Sequence, residues 1–546
     1  MPVTVHSIDW KATYLRVKYK VDAKRDDRLC LYNEATHRLI PFNVLSKGEY
    51  SVAELNVTVA GGREVLSAGN WKIIALPFSS LRKYANTPLP LNAEAKVLYE
   101  DKVLLELENK DRIFRYGGGK YAYTISLIPK LENNVILNVT VIVSFYRINP
   151  NPHRRSNSLR QIEKDVFSLL YRMLAHVIHP KKNQILFLKE NGTEPTQNMK
   201  SVQNRMYERN MNETFKIVER YRNVFSGRQH PIDWLLDLLY IARSKYIFVD
   251  DYTPIFNFIS PTKQTVLTQI WHAGVGFKSV GYARFGLTGS PDPYNSSHRK
   301  YTYALVGNKY LRQIYSEVFG IEQEALLATG MPRLDHFFDR QTEITRQLSK
   351  KYMWSQKGRV IVFAPTFRGS GQREAFYPYQ WLDLDEIYQL CVSTDSFFVF
   401  KMHHFIKEQP IIPPKYAQRI FNLTQEELND LFFITDVLIT DYSSCFYDYI
   451  LLKKPVIFFT PDKLAYSLIR GVQRPIDEMA PGIICNTFSE LLSTIENNLY
   501  ETYSPHPSSI DRAIERSGLA SDRVIDTVIY HKEVQGVRLK TYDNES

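Results

Sequence analysis

The sequence predicts an α/β protein in which parallel sheets are covered by helices on both faces, preceded by an antiparallel β-domain. Three observations predict it. After about residue 183 the strand candidates are uninterrupted apolar runs, as a strand buried on both faces requires. Before residue 150 they are short alternating segments separated by GG, GN and NN turns, the pattern of antiparallel strands with one solvated face. The later runs also end in polar residues and are spaced by helix-length segments, as in βαβ units, which bind ligands at the carboxyl ends of their strands.

Composition bounds the partners. A chain of 546 residues with 44% apolar content can fill two or three cores, at roughly 100–200 residues each. A net charge of +11 favours anionic partners: nucleotide diphosphates, phosphate polymers, acidic lipid surfaces or nucleic acid. Cys30, Cys391, Cys445 and Cys485 are scattered without CxxC spacing, which argues against a structural zinc site or a disulfide framework and fits a reducing cytoplasm. The opening residues MPVTVHSIDWK show no secretory signal, and no run of 18 apolar residues suggests a spanning helix.

Taken in order, residues 1–150 are expected to form a sandwich-like β-domain, from segments such as TYLRVKYKV, YSVAELNVTVA and NVILNVTVIVSFY. Residues 151–182 read as a basic, Pro-containing linker leading into an amphipathic helix with Phe167, Leu169, Leu170, Leu174, Val177 and Ile178. Such a helix anchors to anionic lipid or packs on the next domain. Strand candidates follow at QILFLKE (184), KYIFVDD (245), TVLTQIW (265), RVIVFAPT (359), FFVFKMHH (397), VLIT (437) and VIFF (456), with helical segments such as DWLLDLLYIARS and LDEIYQLCVS between them. The charged stretch at 337–352 divides this region into halves, 183–345 and 346–546.

The polar ends of these strands carry the chemistry. In ITDVLITDYSSCFYDYILLKKPVIFF, Thr440, Asp441, Tyr442, Ser443 and Ser444 lie between a strand and a segment of helix length. Ser443 and Ser444 can cap that helix, and its first-turn N–H groups suit a phosphate; a capping turn that binds nothing has equal weight. His272 ends another strand and opens the Gly-rich loop AGVGFKSVGYARFG with Lys278 and Arg284, placing a general base beside phosphate-friendly backbone. KMHHF puts Lys401, His403 and His404 at a third strand end, where alternation points the two histidines to opposite sides. FAPTFRGSG supplies Thr366 and Arg368 before a Gly-Ser-Gly turn that is no Walker loop, and TGMPRLDHF supplies Arg333 and Asp335. Taken singly, each of these residues is as readily structural as functional.

Together, in this order, WHAGVGFK, YIFVDDYTP, TGMPRLD, VFAPTFRGSG, FKMHHF and ITDVLITDYSSCFYDY with KKPVIFF resemble the CDP-glycerol/CDP-ribitol polyol-phosphotransferases of wall teichoic acid synthesis, over roughly residues 180–530. YIFVDDYTP and WHAGVGFK lean towards the ribitol branch, as does the leading β-domain. Ala273 replaces the family's commoner Gly, and His404 stands where Pro is frequent, so the choice between the adjacent histidines stays open.

The resemblance implies a GT-B-like pair of Rossmann-type domains, 183–345 on the acceptor side and 346–546 binding the CDP-polyol. The protein would sit as a peripheral protein at the cytoplasmic face of the cell membrane, on its anionic inner leaflet. It would transfer ribitol phosphate from CDP-ribitol to an undecaprenyl-diphosphate-linked teichoic acid primer, releasing CMP, within a teichoic acid synthesis complex. His272 would be the general base and His403 with Arg368 donors to the diphosphate. Ser443, Ser444 and Thr366 would hold phosphates, Asp441 would orient the turn or contact the nucleotide, and Lys278, Arg284, Arg333 and Lys401 would face the anionic substrates. Asp250 and Asp251 would bind polyol hydroxyls or terminate a strand. No carboxylate cluster demands a metal, though Mg²⁺ accompanying the CDP-polyol is compatible, and nucleic acid is not expected. The rivals are a CDP-glycerol-dependent transferase, a GT-B nucleotide-sugar glycosyltransferase and a non-enzymatic basic protein.

Overall fold

The computed structural model describes residues 3–532 except 12, 22–25, 47, 61–62, 91–94, 101, 104–106, 108–109, 117–120, 134, 148–157, 225–229, 272–279, 287–289, 295, 336, 338, 370–373, 470–475 and 502–518. The chain falls into two compact units, one of residues 1–167, 280–299 and 316–322, the other of 168–279, 300–315 and 323–546.

Among the described residues, the first unit has eleven strands: β1 (Val3–Lys11), β2 (Tyr14–Lys20), β3 (Asp27–Asn33), β4 (Arg38–Pro41), β5 (Asn43–Ser46), β6 (Ser51–Asn56), β7 (Gly69–Pro77), β8 (Val97–Tyr99), β9 (Arg112–Tyr116), β10 (Tyr121–Glu132) and β11 (Val135–Arg147). They form two sheets, β5-β6-β2-β1-β8 and β4-β3-β7-β11-β10-β9. Every pairing is antiparallel except β1 with β8, which run parallel through Val3↔Val97. Alternation decides the inner face: Leu15, Val17 and Tyr19 of β2 are buried while Arg16 and Lys18 are not. These residues join Trp71, Tyr123 and Val141 in one core, which Tyr282 and Phe285 of the 280–299 segment complete. Gly281 allows that segment to close: its φ is +52°, and a Cβ there would stand 2.1 Å from the Val318 carbonyl oxygen.

The second unit contains two parallel sheets of six strands. β12 (Lys181–Lys189), β13 (Lys216–Tyr221), β14 (Ser244–Val249), β15 (Val266–Gln269), β16 (Tyr303–Val306) and β17 (Leu326–Ala328) are ordered β13-β12-β14-β15-β16-β17. β18 (Arg359–Phe363), β19 (Ser396–Phe400), β20 (Ile420–Asn422), β21 (Val437–Thr440), β22 (Val456–Phe459) and β23 (Ile483–Cys485) are ordered β20-β19-β18-β21-β22-β23. All seven apolar runs are strands, and β14, β19, β21 and β22 are buried almost throughout, as parallel strands under helices must be.

Helix ends follow local chemistry. Asp383 caps Leu384–Ser393 by accepting from the amides of Asp385 and Glu386, and Pro231 opens Pro231–Arg243. The charged stretch around 337–352 is largely the helix Gln341–Lys351. Near the end of the described chain, the helix Ala520–Val528 packs Val524, Ile525 and Val528 into the core of the first parallel sheet, beside Ile185, Phe187 and Phe248. Asp335 caps it, accepting from the amides of Ala520 at 2.6 Å and Ser521 at 2.9 Å. Arg205 and Arg209 pair with Asp522 and Asp526 along its side.

Candidate active site

At the carboxyl edge of the second parallel sheet, the loops after β18, β21 and β22 are fastened to one another by buried polar groups. Asp441, buried beyond the end of β21, is the centre. Its Oδ1 accepts from the amides of Thr366 at 2.7 Å and Tyr442 at 2.6 Å, and its Oδ2 accepts from Arg368 Nη1 at 2.8 Å. Thr440 Oγ1 donates to the Ala364 carbonyl at 2.8 Å, a second tie between the same loops. Asp441 therefore ties the turn after β21 to the loop after β18.

Arg368 is committed to this framework. Nε and Nη2 form a fork onto Asp462, at 2.7 and 3.0 Å, and Nη1 also donates to the Thr366 carbonyl at 2.6 Å. Four of the five guanidinium N–H groups are thus engaged within the protein. Tyr377, Trp381, Tyr442 and Tyr466 surround the guanidinium, with ring centroids 5.1–5.6 Å from Cζ. Burial alone would lower its pKa, but the Asp441 and Asp462 carboxylates more than offset this and hold it protonated. Arg368 was expected to donate to a diphosphate; the geometry makes it first a strut between loops. Gly369 follows at φ +95°, where a Cβ would stand 2.1 Å from the Glu374 carbonyl oxygen.

The histidines differ from their expected placement. β19 ends at Phe400, so strand alternation no longer governs His403 and His404, and their rings stack 4.4 Å apart at 21° rather than pointing to opposite sides. His403 is the anchored one. Its Nδ1 accepts from the Phe405 amide at 3.2 Å, which assigns the proton of the neutral ring to Nε2, and its ring packs on Phe367 at 4.9 Å. His404 is exposed. Lys401 Nζ donates to the Thr424 carbonyl at 3.0 Å, and burial lowers its pKa.

The helix expected over 443–452 is shorter. Helical structure spans Phe446–Tyr449 and continues as a 3₁₀ turn, Ile450–Leu452, ended by Lys453 at φ +57° ahead of Pro455. Cys445 takes the N-cap position, and Ser443 Oγ accepts from its amide at 3.4 Å. Ser443 and Ser444 are half-buried, and Thr366 Oγ1 is buried without a hydrogen-bond partner among the described residues.

At the carboxyl edge of the first parallel sheet, Asp250 closes β14. Its Oδ2 accepts from the Thr196 hydroxyl at 2.6 Å and its Oδ1 from the Asp251 amide at 2.8 Å, the strand-terminating alternative for this residue. Asp251 holds φ +64°, with its carbonyl accepting from Gln269 Nε2 at 2.9 Å. Glu190, at the end of β12, accepts from the Ile255 amide, and burial pushes its carboxyl up to about 7.

Arg333 bridges the two halves of this unit. Its guanidinium makes a bidentate pair with Asp448, at 3.0 and 2.8 Å, while its amide donates to Asn198 Oδ1 at 3.0 Å. Arg284 lies in the first unit, in the 3₁₀ turn Gly281–Arg284. His272 and Lys278 lie outside the described residues, as does the 151–157 part of the basic linker.

Thr366, Arg368, His403, Asp441, Ser443 and Ser444 therefore belong to the carboxyl-edge loops of one sheet. Sequence reading passed over Asp462 and Tyr466; the signal was the end of KPVIFFTPD, where Asp462 follows β22 as Asp441 follows β21. Among the described residues no group of three His, Cys, Asp or Glu side chains is placed to hold a metal ion.

Comparison with known proteins identifies this arrangement. The family model described as CDP-glycerol:poly(glycerophosphate) glycerophosphotransferase matches residues 169–530. A teichoic acid poly(ribitol-phosphate) polymerase of Bacillus spizizenii is 33% identical over 387 residues, covering 69% of this chain and 61% of that relative's own length. The teichoic acid ribitol-phosphate polymerase TarL of Staphylococcus aureus is 30% identical over 439 residues, 78% of each chain. The solved wall teichoic acid polymerase TagF superposes with a TM-score of 0.53 at 20% identity, over 69% of this chain and 96% of that one, and so shares its mixed α/β fold. With the family model spanning both parallel sheets, the chain belongs to the CDP-glycerol:poly(glycerophosphate) glycerophosphotransferase family.

Proposed function

We propose that this enzyme transfers ribitol phosphate from CDP-ribitol to the terminal hydroxyl of a lipid-linked teichoic acid, releasing CMP, and repeats the step as a poly(ribitol phosphate) polymerase. The observation that carries the reading is the set of interlocked carboxyl-edge loops that presents Ser443 and Ser444 on the second parallel sheet, with His403 on the neighbouring loop, in a chain most of whose length matches ribitol-phosphate polymerases. The two parallel sheets form a GT-B-like pair, with the acceptor on the first and the CDP-polyol on the second.

In the reaction the acceptor oxygen forms a bond to the β-phosphorus while the bond from that phosphorus to the CMP oxygen breaks. The protein has to align the two, remove the hydroxyl proton and offset the diphosphate charge. His272 takes the proton. His403, with its proton on Nε2, and the Ser443 and Ser444 hydroxyls donate to phosphate oxygens. Any Mg²⁺ enters with the donor diphosphate.

Incubating the protein with a lipid-linked teichoic acid primer and either CDP-ribitol or CDP-glycerol is expected to release CMP and lengthen the product with CDP-ribitol. Release with CDP-glycerol alone moves the enzyme to the glycerol branch. Silence with both, and turnover of a nucleotide sugar, overturns the reading.

Attachment to the anionic inner leaflet of the cell membrane belongs to the same proposal. No helix among the described residues is long and apolar enough to cross a membrane. The helix Ser158–Val177 instead leaves Val166, Leu169, Leu170, Met173 and Val177 exposed along one face, Val177 at 76%, and the exposed Lys181 and Lys182 follow. Replacing Arg154, Arg155, Lys181 and Lys182 with Glu is expected to abolish co-sedimentation with anionic liposomes. Unchanged co-sedimentation sinks the attachment.

A further inference from the structure

We infer that Asp462 is a positioning residue of the transfer, acting through Arg368 and Asp441 on the phosphate-holding loops; the inference rests on the function proposed above. Asp462 lies beyond the end of β22, the strand next to β21 in the sheet. Both its oxygens face the Arg368 fork, and Oδ1 also accepts from the Tyr442 hydroxyl at 3.2 Å. Arg368 hands the constraint on to Asp441, whose other oxygen holds the amides of Thr366 and Tyr442. One chain of charge-assisted hydrogen bonds thus runs from the loop after β22, through the loop after β18, to the turn after β21 that carries Ser443 and Ser444.

Each link is specific. A fork onto one carboxylate with a third N–H onto another needs a planar guanidinium, which a lysine cannot imitate. Tyr442 and Tyr466 stack at 3.8 Å and 13° beside the pair, so the fork is held in a narrow aromatic slot. The side chains of Arg368, Asp441 and Asp462 are 8%, 1% and 14% exposed, so solvent screens the pairs weakly. With Asp462 removed, Arg368 keeps Asp441 but loses the partner that sets its plane, and the Asp441 contacts to both loops loosen. Asp462 itself has no need to touch substrate.

The test is Asp462→Asn, which keeps the shape and turns one acceptor oxygen into an N–H₂ facing an N–H donor, with Arg368→Lys, the double variant and Asp462→Glu beside it. With CDP-ribitol and primer, Asp462→Asn is expected to lower kcat about tenfold or more, since small misplacement of reacting groups is costly, with KM for the CDP-polyol changed less than threefold. Asp462→Glu restores part of the loss. The double variant is no worse than Arg368→Lys alone, because both act through one fork.

Hydrogen exchange supplies a readout that needs no turnover. Amides in the 360–369 and 437–447 peptides of Asp462→Asn are expected to exchange faster, with those of β12 and β14 unchanged. Additive losses in the double variant, equal kcat at equal folded fraction, or unaltered exchange in both peptides each overturn the positioning role. A wild-type protein that turns over neither CDP-polyol overturns the proposed function instead, and the exchange result still decides the role of Asp462.

Discussion

Changing His272 to alanine is expected to lower kcat with CDP-ribitol by about 10²–10⁴, the usual worth of a positioned general base, while the variant folds and binds the donor as before. The expectation rests on the acceptor hydroxyl. An alcohol is a poor nucleophile until its proton is drawn off, and imidazole is the side chain that accepts a proton near neutral pH without first having to be deprotonated. The measurement is CMP release at saturating CDP-ribitol and primer, with thermal unfolding and donor binding recorded on the same preparation. Undiminished kcat excludes His272 as the base. A fall in donor binding that matches the fall in kcat/KM assigns it to the diphosphate instead.

The second large effect is on stability. Arg333→Leu is expected to destabilise the protein by about 3–5 kcal/mol, because it leaves a buried carboxylate without its cation. Asp448 has 4% of its side chain exposed and, among the described residues, retains the Asn429 amide at 3.3 Å as its polar side-chain partner. Arg333 also ties the residues after β17 to the short helix after β21, so the loss falls where the two parallel-sheet halves meet. Urea unfolding measures it, and replacing both partners by apolar residues, Arg333→Met with Asp448→Leu, is expected to cost less than Arg333→Leu alone. Equal stability of Arg333→Leu and wild type refutes the bridging role.

How much of this was legible in the sequence depended on the range of the interaction. β14, β18 and β19 could be read because burial on both faces demands a run of apolar residues, a demand visible within five or six positions. β13 could not: KIVERY is half-exposed at the sheet edge and mixes charge with apolar residues, and β20 and β23 have three residues each. Placement at the carboxyl edge of the sheet was legible where polar residues follow a strand, as at Thr366, Asp441 and His403. What those residues do to one another was not. Arg368 and Asp441 stand 73 residues apart, and Arg333 and Asp448 stand 115 apart, so nothing local announces that each arginine already has a carboxylate. The histidine pair failed for a different reason, since alternation was extended as far as His404, beyond Phe400 where the strand stops.

The helix Ala520–Val528 bears on how the molecule comes to exist in a cell. The hydrophobic centre of the first parallel sheet is closed by Val524, Ile525 and Val528, although its own strands are finished by Ala328. On the ribosome that sheet emerges early and waits, with part of one apolar face uncovered, until the whole second sheet has been synthesised. The half that leads in the order of synthesis is therefore the half that finishes last, and during translation it is the surface that chaperones have reason to guard.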